Sequence, residues 1–102
     1  MAQGRWGYGG ELPPARFNMA HYCLAHAAQA TPDKIALIVV SDARMPAEAA
    51  ERWSYRQLDR AVRQVAAGLR RLGLKPGARL LIRMGNTSDY ALLFFGAIAA
   101  GC

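Results

Sequence analysis

The stretch from Ser54 to Gly73 constrains the fold of this chain more than any other. Leu58, Val62, Val65, Leu69 and Leu72 recur at spacings of 4, 3, 4 and 3, which places one apolar stripe along a helix. The helix carries its own start signal. Ser54-Tyr55-Arg56-Gln57 is an S-x-x-Q capping box, in which the Ser54 hydroxyl accepts from the Gln57 N–H and the Gln57 side chain accepts from the Ser54 N–H. Gly73 supplies a left-handed C-cap, and Leu74 is placed to fold back on the last turn. Asp59 and Arg63 stand four apart and form a pair worth a few tenths of a kcal/mol. Ala61, Ala66 and Gly68 are small enough for a neighbouring element to come close. A one-striped helix of this kind has to lie on another layer.

Two apolar runs flank it. Ile35-Ala36-Leu37-Ile38-Val39-Val40 is rich in β-branched residues and too short for an ordinary helix, so it reads as a buried strand. Arg79-Leu80-Leu81-Ile82-Arg83-Met84 reads as a second buried strand, reached through a Lys75-Pro76-Gly77 turn. Between the first run and the capping box, Ser41 to Ala50 is a loop, and Arg52-Trp53 is a short strand. Upstream, Asn18 caps a helix from Met19 to about Ala30, which Thr31-Pro32-Asp33 stops. Downstream, Gly85-Asn86-Thr87 breaks the second run, and Thr87 or Ser88 caps a last helix with Asp89 in its first turn. Tyr90 to Ala100 is apolar almost all round, which predicts a helix buried on most faces before Gly101 ends it. The expected class is α/β, with helices packed on a partial mixed sheet.

Two segments follow from this reading. Residues 1–17, with Gly4, Gly7, Gly9, Gly10, Pro13 and Pro14, form an arm whose Trp6 and Tyr8 suit an apolar surface. Residues 18–102 form a partial α/β subdomain. Strand, helix, strand, helix is a unit that expects a further parallel strand through a right-handed crossover. None follows before Cys102, and the all-round apolar last helix needs more partners than the chain offers. With Met1 in place, the expectation is an N-terminal piece of a larger protein, whose main partner is the remainder of its own polypeptide.

Composition narrows the function classes. Of the 102 residues, 53% are hydrophobic and 20% charged, which excludes a disordered chain. The longest uncharged apolar run, Tyr90 to Cys102, falls short of the roughly 20 residues a membrane span needs. Met1 to Gly10 lacks an apolar core, so no signal peptide is expected. The two cysteines, Cys23 and Cys102, make no disulfide framework, and a cytoplasmic location is expected. The net charge of +6 raises the possibility of a polyanionic partner. The basic residues sit mostly in two places, Arg52, Arg56, Arg60, Arg63, Arg70 and Arg71 along the long helix and Lys75, Arg79 and Arg83 after it; a solvated helix face explains the first group, so no nucleic-acid partner is expected.

Thr31-Pro32-Asp33-Lys34-Ile35-Ala36-Leu37, followed by Trp53-Ser54-Tyr55-Arg56-Gln57-Leu58, resembles the opening of the AMP-forming adenylating enzymes. Ala67-Gly68-Leu69-Arg70-Arg71-Leu72-Gly73-Leu74-Lys75-Pro76-Gly77-Ala78-Arg79-Leu80 is similar to the stretch in which a glycine-bounded segment of that superfamily joins its first long helix to a core strand. Phe94-Phe95-Gly96-Ala97-Ile98-Ala99-Ala100-Gly101-Cys102 is similar to the family's next helix end. The wording is nearest to benzoate- and other aryl- or medium-chain acyl-CoA ligases, over about residues 16 to 102. One departure is Met84-Gly85-Asn86, which stands where many members have Leu-Pro-Asn.

The resemblance implies an enzyme that activates a carboxylic acid. ATP and acid give acyl-AMP and pyrophosphate with Mg²⁺ assisting, and coenzyme A then displaces AMP. It also implies that the phosphate loop, acid pocket and catalytic lysine of such an enzyme lie downstream of Cys102. No catalytic, cofactor-binding or metal-ligating residue is therefore assigned in this segment, which is expected to be inactive alone. No cofactor is expected in the segment itself; ATP, Mg²⁺ and coenzyme A belong to the parent enzyme.

The remaining candidates weigh towards structure. Gly68 to Lys75 has the outline of a phosphate loop, but such a loop follows a strand and opens a helix, whereas this one closes a helix. Gly96 to Gly101 repeats the spacing inside an apolar helix and reads as close packing. His21, Cys23 and His26 do not make a closed metal site, because only Cys23 and His26 share a helix face. Cys102 has no neighbouring base to make it a nucleophile. Trp53 between Arg52 and Arg56 could stack on nucleic acid, but anchoring a strand to the core is the commoner use. Asn86-Thr87-Ser88 sits where ligands favour a parallel strand's end, though capping explains it. A second class of function, a dimerising interaction module without catalysis, would use the exposed strand edge and apolar last helix.

Overall fold

A computed structural model describes residues 12–102. Most of the proposed arm, including Trp6 and Tyr8, lies outside the described residues. Asn18 starts the first helical segment by accepting from the Ala20 and His21 N–H groups at 3.0 and 3.3 Å. This segment, α1, is a π-helical turn, His21–Ala25, running into an α-helical turn, His26–Ala30. Its end at Thr31-Pro32 matches the sequence reading. Strand β1, Ile35–Val39, pairs antiparallel with β2, Glu51–Ser54. The register sets Leu37 opposite Trp53 and Val39 opposite Glu51, with an irregularity between Ile35 and Leu37. A 3₁₀ turn, Ala47–Ala49, lies in the connection.

Helix α2, Tyr55–Arg71, opens on the complete capping box: Gln57 N–H donates to Ser54 Oγ at 3.2 Å, and Ser54 N–H donates to Gln57 Oε1 at 2.9 Å. It closes as a Schellman turn. Gly73 takes φ +96°, Gly73 N–H donates to Arg70 C=O, and Leu74 N–H donates to Leu69 C=O at 3.2 Å. Leu58, Val62, Ala66 and Leu69 are buried along the stripe. Leu72 is not; it is 80% exposed, because the reversal at Gly73 turns the chain before that position reaches the core. Leu74 packs in its stead.

Helix α3, Ser88–Ala99, lies against α2 in the most extensive contact of the fold. The contact is built from small residues. Ala66, Leu69, Ala97 and Ala100 form one buried cluster, and Leu24, Leu58 and Val62 form a second, into which Leu37, Trp53 and Phe95 pack. Trp53 thus anchors β2 to the core while its indole N–H donates to Glu51 Oε2 at 2.9 Å.

Three expectations are corrected. Strand β1 is not buried: Ile35 and Ile38 are 45% and 51% exposed, because a two-stranded ribbon has α2 on one face only. Arg79 to Met84 is not a paired strand. Among the described residues none of its N–H or C=O groups bonds to another backbone group, and Leu81 is 93% exposed. A strand requires a neighbour, and no described segment runs beside it. Finally, α3 is only partly covered, with Tyr90 and Phe94 exposed. One helix cannot cover all sides of another. Thr87 holds the N-cap position as expected, but its side chain makes no capping bond.

Candidate functional site

The carboxyl end of α3 is where separate parts of the chain converge. Helix ends leave carbonyls without intrahelical partners, and here donors from distant segments take them. Asn18 Nδ2 donates to Ile98 C=O at 2.7 Å, and Arg70 Nη2 donates to Ala99 C=O at 3.0 Å. Gly101 repeats the left-handed closure of α2 at φ +91°, with Cys102 N–H donating to Ala97 C=O. The Lys75-Pro76-Gly77-Ala78 turn then docks on it: Gly77 N–H donates to Gly101 C=O at 2.8 Å. Neither Asn18 nor Arg70 carries a sequence signal for this role, because the separations of 80 and 29 residues have no local pattern.

Beside this junction, α1 and α2 enclose a groove of about 570 Å³, floored by Ala20, Val62, Ala66 and Ala99 and edged by Arg63 and Arg70. A second groove of about 340 Å³, edged by Arg56 and Arg60, continues along the same seam. Both share Asp59 and Arg63. Asp59 receives Arg63 at 3.0 Å, the i,i+4 pair the spacing predicted, and Asp33 receives Arg56 at 3.4 Å.

The sequence candidates fall as follows. His21, Cys23 and His26 are exposed, and no group of three or more metal-ligating side chains gathers among the described residues. Cys102 packs beside the Ala66–Ala97 cluster. Gly68 to Lys75 closes α2, so its N–H groups bond back into the helix end and form no phosphate cradle. Asn86, Thr87 and Ser88 lie at the amino end of α3, with Thr87 N–H donating to Gly85 C=O. No described helix is long and apolar enough to cross a membrane.

Comparison with known proteins completes the picture. The profile of the family described as AMP-binding enzyme matches residues 24–102. A nicotinic acid–CoA ligase of Aspergillus fumigatus is 43% identical over 60 residues, which is 59% of this chain and 10% of that protein. A salicyl-AMP ligase / salicyl-S-ArCP synthetase of Mycobacterium tuberculosis is 33% identical over 78 residues, 76% of this chain and 13% of that protein. In structure, the chain is similar to a fatty acyl-adenylate ligase of Legionella pneumophila crystallised with acyl adenylate and pyrophosphate. The TM-score is 0.72 at 25% identity, covering 85% of this chain and 14% of that one. The matched stretch is thus 10% to 14% of the length of these relatives. The fold is a partial α/β domain of the adenylate-forming kind, and the chain belongs to the AMP-binding enzyme family.

Proposed function

We propose that this chain is the N-terminal scaffold portion of an ATP-dependent carboxylic acid–CoA ligase, and that the segment alone is inactive. The parent would convert acid and ATP to acyl-AMP and pyrophosphate, then acyl-AMP and coenzyme A to acyl-CoA and AMP. The observation that carries this reading is the family match across residues 24–102. The exposed apolar side of α3 and the unpaired Arg79–Met84 segment support it, since both suit burial against further parts of the same polypeptide. Coenzyme A as acceptor rests on the relatives named as CoA ligases. A relative named salicyl-S-ArCP synthetase keeps a different acceptor as the outcome to test against. A cytoplasmic location accompanies the proposal, and the acid is left at the level of a small-molecule carboxylate.

ATP–pyrophosphate exchange with a panel of aryl and medium-chain acids tests the inactivity claim. The 102-residue chain is expected to give only background exchange, and robust exchange would overturn it. Reading the coding DNA past the Cys102 codon tests the parent. An open frame reaching a Ser/Thr/Gly-rich lysine loop supports the ligase.

A second reading has its own observation. Leu81, Met84, Tyr90 and Phe94 are exposed, and among the described residues the backbone of Arg79–Met84 has no backbone partner, which favours association between copies. An immediate stop codon, together with a concentration-dependent dimer in sizing, would favour this module without catalysis. A sharp monomer peak at high concentration would count against it.

A further inference from the structure

The seam between α1 and α2 is a second feature of the surface, independent of the ligase reading. Its two grooves run on from one another through Asp59 and Arg63. Along it stand Arg56, Arg60, Arg63 and Arg70, which are spaced 4, 3 and 7 on α2 and so share one side of the helix. From Arg56 to Arg70 the helix rises about 21 Å at 1.5 Å per residue, which is the length of about six extended residues. Against these arginines stand Asp33 and Asp59, each engaging one guanidinium. A guanidinium has five N–H donors, so both paired arginines keep donors for a further acceptor. Among the described residues Arg60 has no ion-pair partner.

The floor decides what kind of anion fits. Ala20, Ala25, Ala28, Val62, Ala66 and Ala99 make a narrow bed of small apolar side chains. Tolerant binding of single-stranded nucleic acid uses a series of aromatic platforms for successive bases, whereas no Phe, Tyr or Trp lines either groove and His21 is the single ring-bearing side chain on their lining. A thin main chain bearing carboxylates suits the space better. Carboxylates also match the arginine fork in geometry.

We propose that the α1–α2 seam is a docking groove for an extended acidic peptide segment of a partner protein. Arg56, Arg60 and Arg63 take its carboxylates, and the alanine floor takes its main chain. The partner is recognised by charge along the groove, so affinity falls as salt rises.

Fluorescence anisotropy of labelled poly-L-glutamate against the 102-residue chain tests this. A matched single-stranded oligothymidylate serves as the competing polyanion. Two double variants carry the same change in net charge. Arg56→Glu/Arg60→Glu lies in the groove. Arg79→Glu/Arg83→Glu lies outside it, at exposed positions. Position 56 is in the first turn of α2, where a glutamate is favourable, so the groove variant retains its helix, checked by circular dichroism. The expected result is poly-glutamate binding weakened about tenfold by the groove variant, the sum of two rim contacts, and much less by the other variant. Equal losses from both variants would reduce the effect to net charge and overturn the proposal. Tighter binding of the oligonucleotide, or no binding of poly-glutamate at low salt, would overturn it too.

Discussion

Gly96 and Val65 meet so closely that no side chain fits between them: a Cβ built on Gly96 would lie 2.8 Å from Val65 Cβ. This is where α3 rests on α2, and the absence of a side chain at 96 sets the distance between the two helices. Gly96→Ala gains roughly 0.5–1 kcal/mol in helix propensity. Overpacking costs typically about 1–3 kcal/mol. The net expectation is a loss of about 1–2 kcal/mol in urea unfolding. Adding Val65→Ala should recover part of it. A Gly96→Ala chain as stable as the original would mean the helices separate freely at that point.

The two glycine closures should respond unequally. Gly73 and Gly101 both have positive φ, at +96° and +91°, but only Gly101 has a neighbour, Pro76, within 3.2 Å of a would-be Cβ. Alanine at either position costs about 1 kcal/mol for the left-handed backbone. Gly101→Ala should cost more, because it also pushes Pro76 away and strains the Gly77–Gly101 bond. Comparing the two melting temperatures checks this order.

Asn18 does two jobs that can be separated. Its Oδ1 caps α1, and its Nδ2 holds Ile98 C=O. Asn18→Ala loses both and should cost about 1–2 kcal/mol. Asn18→Asp keeps the cap but sets a carboxylate oxygen against the Ile98 carbonyl at the negative end of α3, so it should weaken that link at least as much as alanine does. Hydrogen exchange at the end of α3 should speed up in both variants. Faster exchange in the alanine variant alone would show that the cap, and not the link to Ile98, matters.

The capping box at Ser54 should be worth about 1 kcal/mol, the usual cost of replacing such a residue with alanine. Ser54→Thr should restore most of it. Because β2 runs directly into this cap, Ser54→Ala should also loosen the β1–β2 pairing, seen as faster exchange of the Tyr55 N–H that donates to Lys34 C=O at 2.9 Å.

In the loop, the Arg44 side chain and backbone N–H both donate to Asp42 and hold its carboxyl below the usual range. A lowered carboxylate favours the folded loop above the ordinary carboxylate range, and the effect fades as pH falls through the lowered value. Arg44→Ala should move the Asp42 titration upward in NMR. Arg44 is 90% exposed and Asp42 still open to solvent at 40%, so global stability should not change measurably.

What local chemistry encodes was readable in advance. Ser54 with Gln57, Gly73 with Leu74, Asn18 ahead of α1, and Asp59 with Arg63 involve residues at most four apart, and each forms as its spacing requires. The family resemblance also rests on such continuous stretches. Leu72 marks the edge of this legibility. Its place in the stripe is correct for a continuing helix, but the turn one residue later sends it to solvent.

Where elements meet across the chain, periodicity carries no information. The runs Ile35–Val40 and Arg79–Met84 have strand composition, but burial and pairing depend on a neighbour. Of the two, only the first finds one among the described residues. The arginines of α2 are visible as a row. That they edge a groove depends on where α1 lies, which the packing of Leu24 against Leu58 and Val62 decides. Asn18 and Arg70 likewise become partners of α3 only when three segments converge on its last carbonyls. The Ser54 capping box, the Gly73 closure, the Asn18 cap and the Asp59–Arg63 pair were therefore determined by sequence alone, because they depend on groups already held within one or two turns. The depth of burial, the grooves and the junction at Gly101 were decided by tertiary structure, because each is a distance between segments that the covalent chain leaves free.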